Sequence, residues 1–246
     1  MLPITRTPIV SLEEDEGISR IVISNGVNSC LNNDGLRDLL IALTEAISAG
    51  DSPILITSDS KRAFCMGYTS DCKRISDKMH IREAYSLGTT IARTMLTSKQ
   101  AVISAIDGYA LGLGMEIAMC SDLVIATERA KFGMPEVAFG IPSLTGILPE
   151  VPERFSGMAY SLIKKGKIFD AYEAKEAGIV KELVSSDNFQ RHALGHVKNI
   201  ESRLFRIIKS GNQGSQNRYI LDDLFFKIYD PSCLTMMQLE RFRNSI

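Results

Sequence analysis

Residues 101–127, AVISAIDGYALGLGMEIAMCSDLVIAT, decide how the chain is read. Residues 101–106 form a short apolar run with β-branched members, the pattern of a strand covered on both faces. Gly108, Gly112 and Gly114 follow, and they let the backbone turn tightly and approach a ligand closely. Residues 115–120 are apolar and helix-compatible, and 123–126 resume the strand pattern. A glycine loop feeding a helix directs free N–H groups at one spot, which suits a phosphate, a carboxylate or an oxyanion. Glu116 lies in the first turn of that helix among apolar neighbours. An acid there is either a partner for the helix dipole or a catalytic group. A dinucleotide fingerprint would need a third glycine where Ile117 stands, and no G-x-x-x-x-G-K-[ST] pattern is present.

Composition narrows the classes. With 246 residues, 45% of them hydrophobic, the chain suits one large globular domain or a domain with an appendage. A formal net charge of −1 gives no footprint for nucleic acid or an anionic membrane. No apolar run approaches the roughly 20 residues of a spanning helix. The N-terminus, MLPITRTPIV, has none of the organisation of a signal peptide, and a cytoplasmic location is expected. Five cysteines without a C-x-x-C pair read as free thiols in a reducing compartment.

Outward from the central stretch, strands and helices alternate. Residues 8–13 and 18–23 read as a hairpin with an acidic turn at 14–17. Asp34 is placed to cap a helix over 36–49, where Leu36, Leu39, Leu40, Leu43 and Ile47 keep the helical period. A buried strand is expected at 54–57, a loop at 61–70 and a helix at 81–96. After the central stretch, ERAKFGMPEVAFG (128–140) places Glu136 among glycine, proline and apolar residues. A loop at 143–146, helices at 157–167 and 171–178, and a strand at 179–184 complete the α/β pattern with a mainly parallel sheet. Beyond residue 185 the pattern is helical, over 188–210, 219–229 and 234–242. No sequence repeat is visible.

These pieces carry a resemblance. The run AIDGYALGLGMEIAMCSDLVIATERAKFGMPEV resembles the signature of the enoyl-CoA hydratase/isomerase (crotonase) family. NSCLN (28–32), RAFCMG (62–67) and AYEAKEAGIVKELV (171–184) resemble further family segments, in the family's order. The resemblance implies a ClpP/crotonase-like spiral of ββα units over residues 1–186. It implies a C-terminal helical oligomerisation region over 187–246, and assembly as a homotrimer or hexamer. The implied substrate is an acyl-CoA thioester, with no cofactor, metal, nucleic-acid or membrane partner. By position in the motifs, the backbone amides of Met66 and Leu113 should hold the thioester oxygen. Ala63, Cys65, Gly67, Tyr68, Gly112 and Gly114 should line the substrate. Glu116 and Glu136 match the two glutamates of the family's hydratases.

The chain departs from the family at three places. Gly112-Leu113-Gly114 stands where three glycines are common, so the Leu113 side chain is expected beside the acyl group. Gly67-Tyr68-Thr69 stands for Gly-Ala-Asp, and GIPSLTG (140–146) lacks the usual glycine-rich run. Retention of both acids points to addition of water to an enoyl-CoA, as in the hydratases of fatty acid metabolism. The alternatives are a double-bond isomerase, a dehydratase or decarboxylase acting on a carrier-protein thioester, and a non-catalytic homologue. His192 and His196 lie i, i+4 without a third ligand in a recognisable motif, and Ser143 and Cys65 have no matching histidine. Arg241 and Arg243 are read as a solvated helix end.

Overall fold

The computed structural model describes residues 7–69 and 77–198. Strands β1 (Val10–Asp15) and β2 (Ile18–Ile23) form the antiparallel hairpin, with Glu16 and Gly17 at positive φ in the turn. Helix α1 (Asn33–Ala49) follows. Its cap is Asn32, whose side chain accepts from the Gly35 N–H at 2.9 Å. Asp34, the expected cap, lies inside the first turn and pairs with Arg37. The cap must have extended dihedrals, and Asn32 is the residue that does (φ −102°, ψ −172°).

The same arrangement then recurs. Strands β3 (Ile54–Ser58) and β4 (Ala63–Cys65) lead to α2 (Lys78–Thr97), which Asp77 caps. Strands β5 (Val102–Ile106) and β6 (Tyr109–Leu111) lead to α3 (Leu113–Cys120). Strands β7 (Leu123–Thr127) and β8 (Lys131–Gly133) lead to a 3-10 turn, Pro135–Phe139. This is the expected succession of ββα units, repeated in space without a repeat in sequence. Short helices α4 (Val151–Arg154), α5 (Gly157–Lys164) and α6 (Ala171–Glu176) follow, with β9 (Phe169–Asp170) between the last two. Strand β10 (Glu182–Val184) and helix α7 (Phe189–Lys198) close the described part.

The larger sheet runs β1-β2-β3-β5-β7-β10 and is parallel from β2 onward. The smaller one runs β4-β6-β8-β9. None of its strands is expected from the sequence, because two or three residues cannot display a period.

Both faces of the larger sheet are covered, and the pleat sorts the side chains. Ile54, Ile56, Val102 and Ile106 join Leu36, Leu39 and Leu43 of α1 in the main core. Leu55, Ile103 and Ile125 face the other way, against Phe189, Ala193 and Val197 of α7. That alternation explains the unbroken apolar runs in the sequence. His192 and His196 on α7 both meet the Glu182 carboxylate. The helices expected at 219–229 and 234–242 lie outside the described residues, as do 199–210, Arg241 and Arg243. The expected division at residue 186 and the expected trimer or hexamer rest on that region.

Gly108 is the tightest joint between the two sheets. Its φ is +78°, and an added Cβ would lie 2.0 Å from the Arg62 carbonyl oxygen. Gly108→Ala should therefore cost at least about 2 kcal/mol, from overpacking and strain together. At Gly157, at the start of α5, an added Cβ meets nothing within 4 Å, so Gly157→Ala should leave stability nearly unchanged. Urea midpoints of the two variants check this contrast; equal midpoints would contradict the packing.

Candidate active site

The site is built from two turns that run from strand to helix. In the first, β6 ends at Leu111 and Gly112 (φ +51°) leads into α3. The Gly112 N–H donates to the Gly133 carbonyl, and the Gly112 carbonyl accepts the first intrahelical bond, from the Glu116 N–H, at 2.9 Å. Leu113, Gly114 and Met115 come before that bond, so their N–H groups have no acceptor within the helix. In the second, β4 ends at Cys65 and passes into Met66-Gly67-Tyr68. The two turns touch through backbone. A Cβ on Gly114 would lie 2.1 Å from the Cys65 carbonyl oxygen, and one on Gly67 (φ +116°) would lie 3.9 Å from the Leu113 nitrogen.

The amides of the second turn are not equivalent. Met66, expected to hold the thioester oxygen, donates its N–H to the Asn28 carbonyl at 3.1 Å. That departs from the expectation, and the cause is the pairing of this turn with the segment around Leu31. Leu31 donates to the Gly67 carbonyl, and Thr69 donates to the Leu31 carbonyl. Leu31 and Tyr68 therefore form a parallel bridge. In such a bridge the N–H of Tyr68 itself lies on the opposite edge from Leu31. Its phenol is held elsewhere: it donates to Asn33 Oδ1 at 2.6 Å and lies 3.2 Å from His80 Nε2. Asn33 in turn donates to Glu83, which pairs with Arg37. This network ties the turn to the first turns of α1 and α2.

The other expected lining residues divide. Gly67, Gly112 and Gly114 lie at the meeting of the turns. Ala63 and Cys65 are fully buried in β4. Burial pushes the Cys65 thiol up to about 12, which leaves no thiolate for nucleophilic work. The Leu113 side chain, expected beside the acyl group, is 2% exposed and packs in the main core.

The two acids have opposite environments. Glu116, on α3, is 2% exposed and surrounded by donors from the loop after the 3-10 turn. Its Oε2 accepts from Ser143 Oγ at 2.8 Å, from the Thr145 N–H at 2.7 Å and from Thr145 Oγ1 at 2.5 Å. Its Oε1 accepts from the Leu144 N–H at 3.1 Å. Glu136, in the 3-10 turn, is 7% exposed, and its Oε2 has no hydrogen-bond partner among the described residues. Burial, reinforced by the Glu116 charge, pushes the Glu136 carboxyl up to about 8. Its carboxyl lies against Gly112, where an added Cβ would come within 3.3 Å of both oxygens. The arrangement thus holds an acid whose proton is retained well above the ordinary carboxylate range, a second carboxyl group supplied with donors, and a helix start in backbone contact with the neighbouring turn. In the sequence Ser143 stands out only as a hydroxyl without a matching histidine, and Thr145 not at all; hydroxyls in place of the family's glycine-rich run are the available signal.

The family model for enoyl-CoA hydratase/isomerase matches residues 13–211. The chain belongs to the enoyl-CoA hydratase/isomerase family. Among its relatives is the crotonyl-CoA hydratase of Syntrophomonas wolfei, 31% identical over 79% of this chain and 75% of that protein. The 2,3-dehydroadipyl-CoA hydratase of Escherichia coli is 28% identical over 68% of this chain and 65% of that protein. The enoyl-CoA hydratase structure from Bacillus halodurans superposes with a TM-score of 0.80 at 18% identity, covering 97% of this chain and all of that one. That likeness is one of fold, and the fold is the crotonase spiral. Among the described residues no helix is long and apolar enough to cross a membrane.

The raised carboxyl of Glu136 has a consequence for stability. The folded protein keeps this proton up to about pH 8, whereas the unfolded chain loses it in the ordinary carboxylate range. Over that interval the folded state binds more protons, so this group's contribution to stability falls as pH rises, by at most about 1.4 kcal/mol per pH unit. Glu136→Gln removes the titration. Its stability relative to wild type should therefore rise from about pH 5 to about pH 8, read as urea midpoints. Parallel pH dependences would contradict the raised carboxyl.

Proposed function

We propose that the chain adds water to 2-enoyl-CoA thioesters, or removes it from the 3-hydroxy forms. The observation that carries this reading is the unlike pair of buried glutamates beside the two turns. Water addition across C2–C3 needs a base for the attacking water and an acid for C2. Glu116 has the environment of the base, and Glu136 that of the acid.

The proposed sequence follows from the geometry. The thioester oxygen lies between the turns and accepts from the N–H groups of Leu113 and Tyr68. Leu113 supplies the start of a helix, and the Tyr68 N–H lies on the edge opposite Leu31. These donors stabilise the enolate charge as it grows, each at about 3 kcal/mol of barrier. Water loses a proton to Glu116 as its oxygen bonds to C3. The electrons of the double bond move to the thioester oxygen, and their return forms the C2–H bond with the proton of Glu136. Proton exchange with solvent then resets both acids. Membership of a family that includes hydratases acting on CoA thioesters supports the substrate class.

One observation favours a second reading. The Oε2 of Glu116 already accepts three bonds, which weakens it as a base. A site in which Glu136 alone carried a proton between carbons would shift a double bond instead of adding water.

Crotonyl-CoA and a 3-enoyl-CoA separate the two. On the hydratase reading, Glu116→Gln and Glu136→Gln each lower crotonyl-CoA turnover by at least ~100-fold. Isomerisation of the 3-enoyl thioester that survives Glu116→Gln intact, without wild-type hydration, would overturn it. Replacing single amides by esters tests the donors. Loss of the N–H of Leu113 or Tyr68 should cost ~100-fold or more in turnover, and loss of that of Met66 far less.

A further inference from the structure

We propose that Ser143 and Thr145 are positioning residues: their hydroxyls clamp Glu116 as a carboxylate and leave only its Oε1 open to the reacting water. The clamp follows from the hydrogen-bond inventory, and its assignment to water rests on the hydratase reading.

A carboxylate oxygen has two in-plane lone pairs. Three donors converge on Oε2, from Ser143 Oγ, the Thr145 N–H and Thr145 Oγ1, so that oxygen is saturated. Among the described residues Oε1 accepts only from the Leu144 N–H and keeps one position for a further donor. The hydroxyl hydrogens are themselves directed. Ser143 Oγ accepts from the Gly146 N–H at 3.1 Å, and Thr145 Oγ1 accepts from the Ile147 N–H at 3.4 Å. Each hydroxyl has a single hydrogen; the two hydroxyl oxygens lie 3.4 Å apart, but the contacts of 2.8 and 2.5 Å to Oε2 are shorter and charge-assisted, and they direct both hydrogens there. A protonated Glu116 would lose part of this set, so the loop selects the anion.

The loop is fixed from behind. Leu144 presses its carbonyl on Gly88 of α2, where an added Cβ would come within 2.5 Å, and Tyr85 borders Gly146. Ser143 and Thr145 are each 5% exposed. The ionisable groups facing Glu116 are Glu136 from the 3-10 turn, Cys65 from β4 and Cys120 from α3 itself. Both thiols are neutral at pH 7, so Glu136 is the group whose charge couples to Glu116. Where the family commonly has glycine, this chain has two hydroxyls trained on one oxygen, a larger commitment than a loop needs to hold its own shape.

Thr145→Val keeps the shape and removes one donor, Ser143→Ala removes the other, and Thr145→Ser restores the hydroxyl. Fewer donors raise the proton affinity of a carboxylate. In Thr145→Val and Ser143→Ala, the acid limb of the kcat profile on crotonyl-CoA should move up by about one pH unit; the lost aim of Oε1 at the water should lower the plateau kcat ~10-fold despite the stronger base, with KM within about twofold. Thr145→Ser should stay within about twofold of wild type. NMR of carboxyl-labelled glutamate, assigned through Glu116→Gln, should show the Glu116 titration moving up in the same variants. An unmoved titration, with only KM or stability altered, would overturn the clamp. Should Thr145→Val fail to fold, Ser143→Ala, which leaves every backbone donor in place, gives the same decision. If wild type hydrates no enoyl thioester while the titration still moves, the hydratase reading fails and the clamp stands.

Discussion

The site depends on one close approach: the backbone of Gly114 against the carbonyl of Cys65, at a spacing that admits no side chain. Because the two chains meet there without a Cβ between them, the start of α3 lies beside the turn that leaves β4. The amides of two separate ββα units are thereby brought to one place. Each unit alone supplies one turn; their contact sets the two side by side. Gly108 against Arg62 repeats the same constraint one layer back, where β5 passes into β6. The fold therefore spends its tightest glycines on joining the two sheets at the site.

Around that junction the two glutamates are driven apart electrostatically. Both are buried, and two ionised carboxylates in one apolar region would repel strongly. The protein settles the conflict by unequal hydration in place of water. Glu116 receives four donors from residues 143–145, while the Oε2 of Glu136 receives none among the described residues. The Glu136 carboxyl keeps its proton well above the ordinary carboxylate range, while the donors gather on Glu116. Neither state is a property of glutamate in that part of the sequence; each is a property of what the loop after the 3-10 turn presents to it.

This explains what could be read from the sequence. The central strands of the larger sheet were legible because they are buried on both faces and appear as apolar runs, as in Ile54–Ser58 and Val102–Ile106. The three-residue strands β4, β6 and β8 were not, since their pairing is decided by distant partners. Glu116 and Glu136 were legible through the family resemblance, but the difference between their surroundings was not. The donors that create it lie 27 to 29 residues beyond Glu116 and reach it only through the winding of the chain. That the Met66 N–H is taken by the Asn28 carbonyl goes with the pairing of this turn to the segment around Leu31, which spacing within the motif does not encode. Likewise the cap of α1 fell to Asn32 over Asp34 through backbone dihedrals alone.

The central claim is that one buried glutamate carries a proton at neutral pH and the other does not. Neutron diffraction from crystals exchanged into heavy water near pH 7 observes this directly. The account predicts deuterium on the Glu136 carboxyl, none on Glu116, and the deuterons of Ser143 and Thr145 directed at Glu116 Oε2. Deuterium on Glu116, or an ionised Glu136, would contradict it.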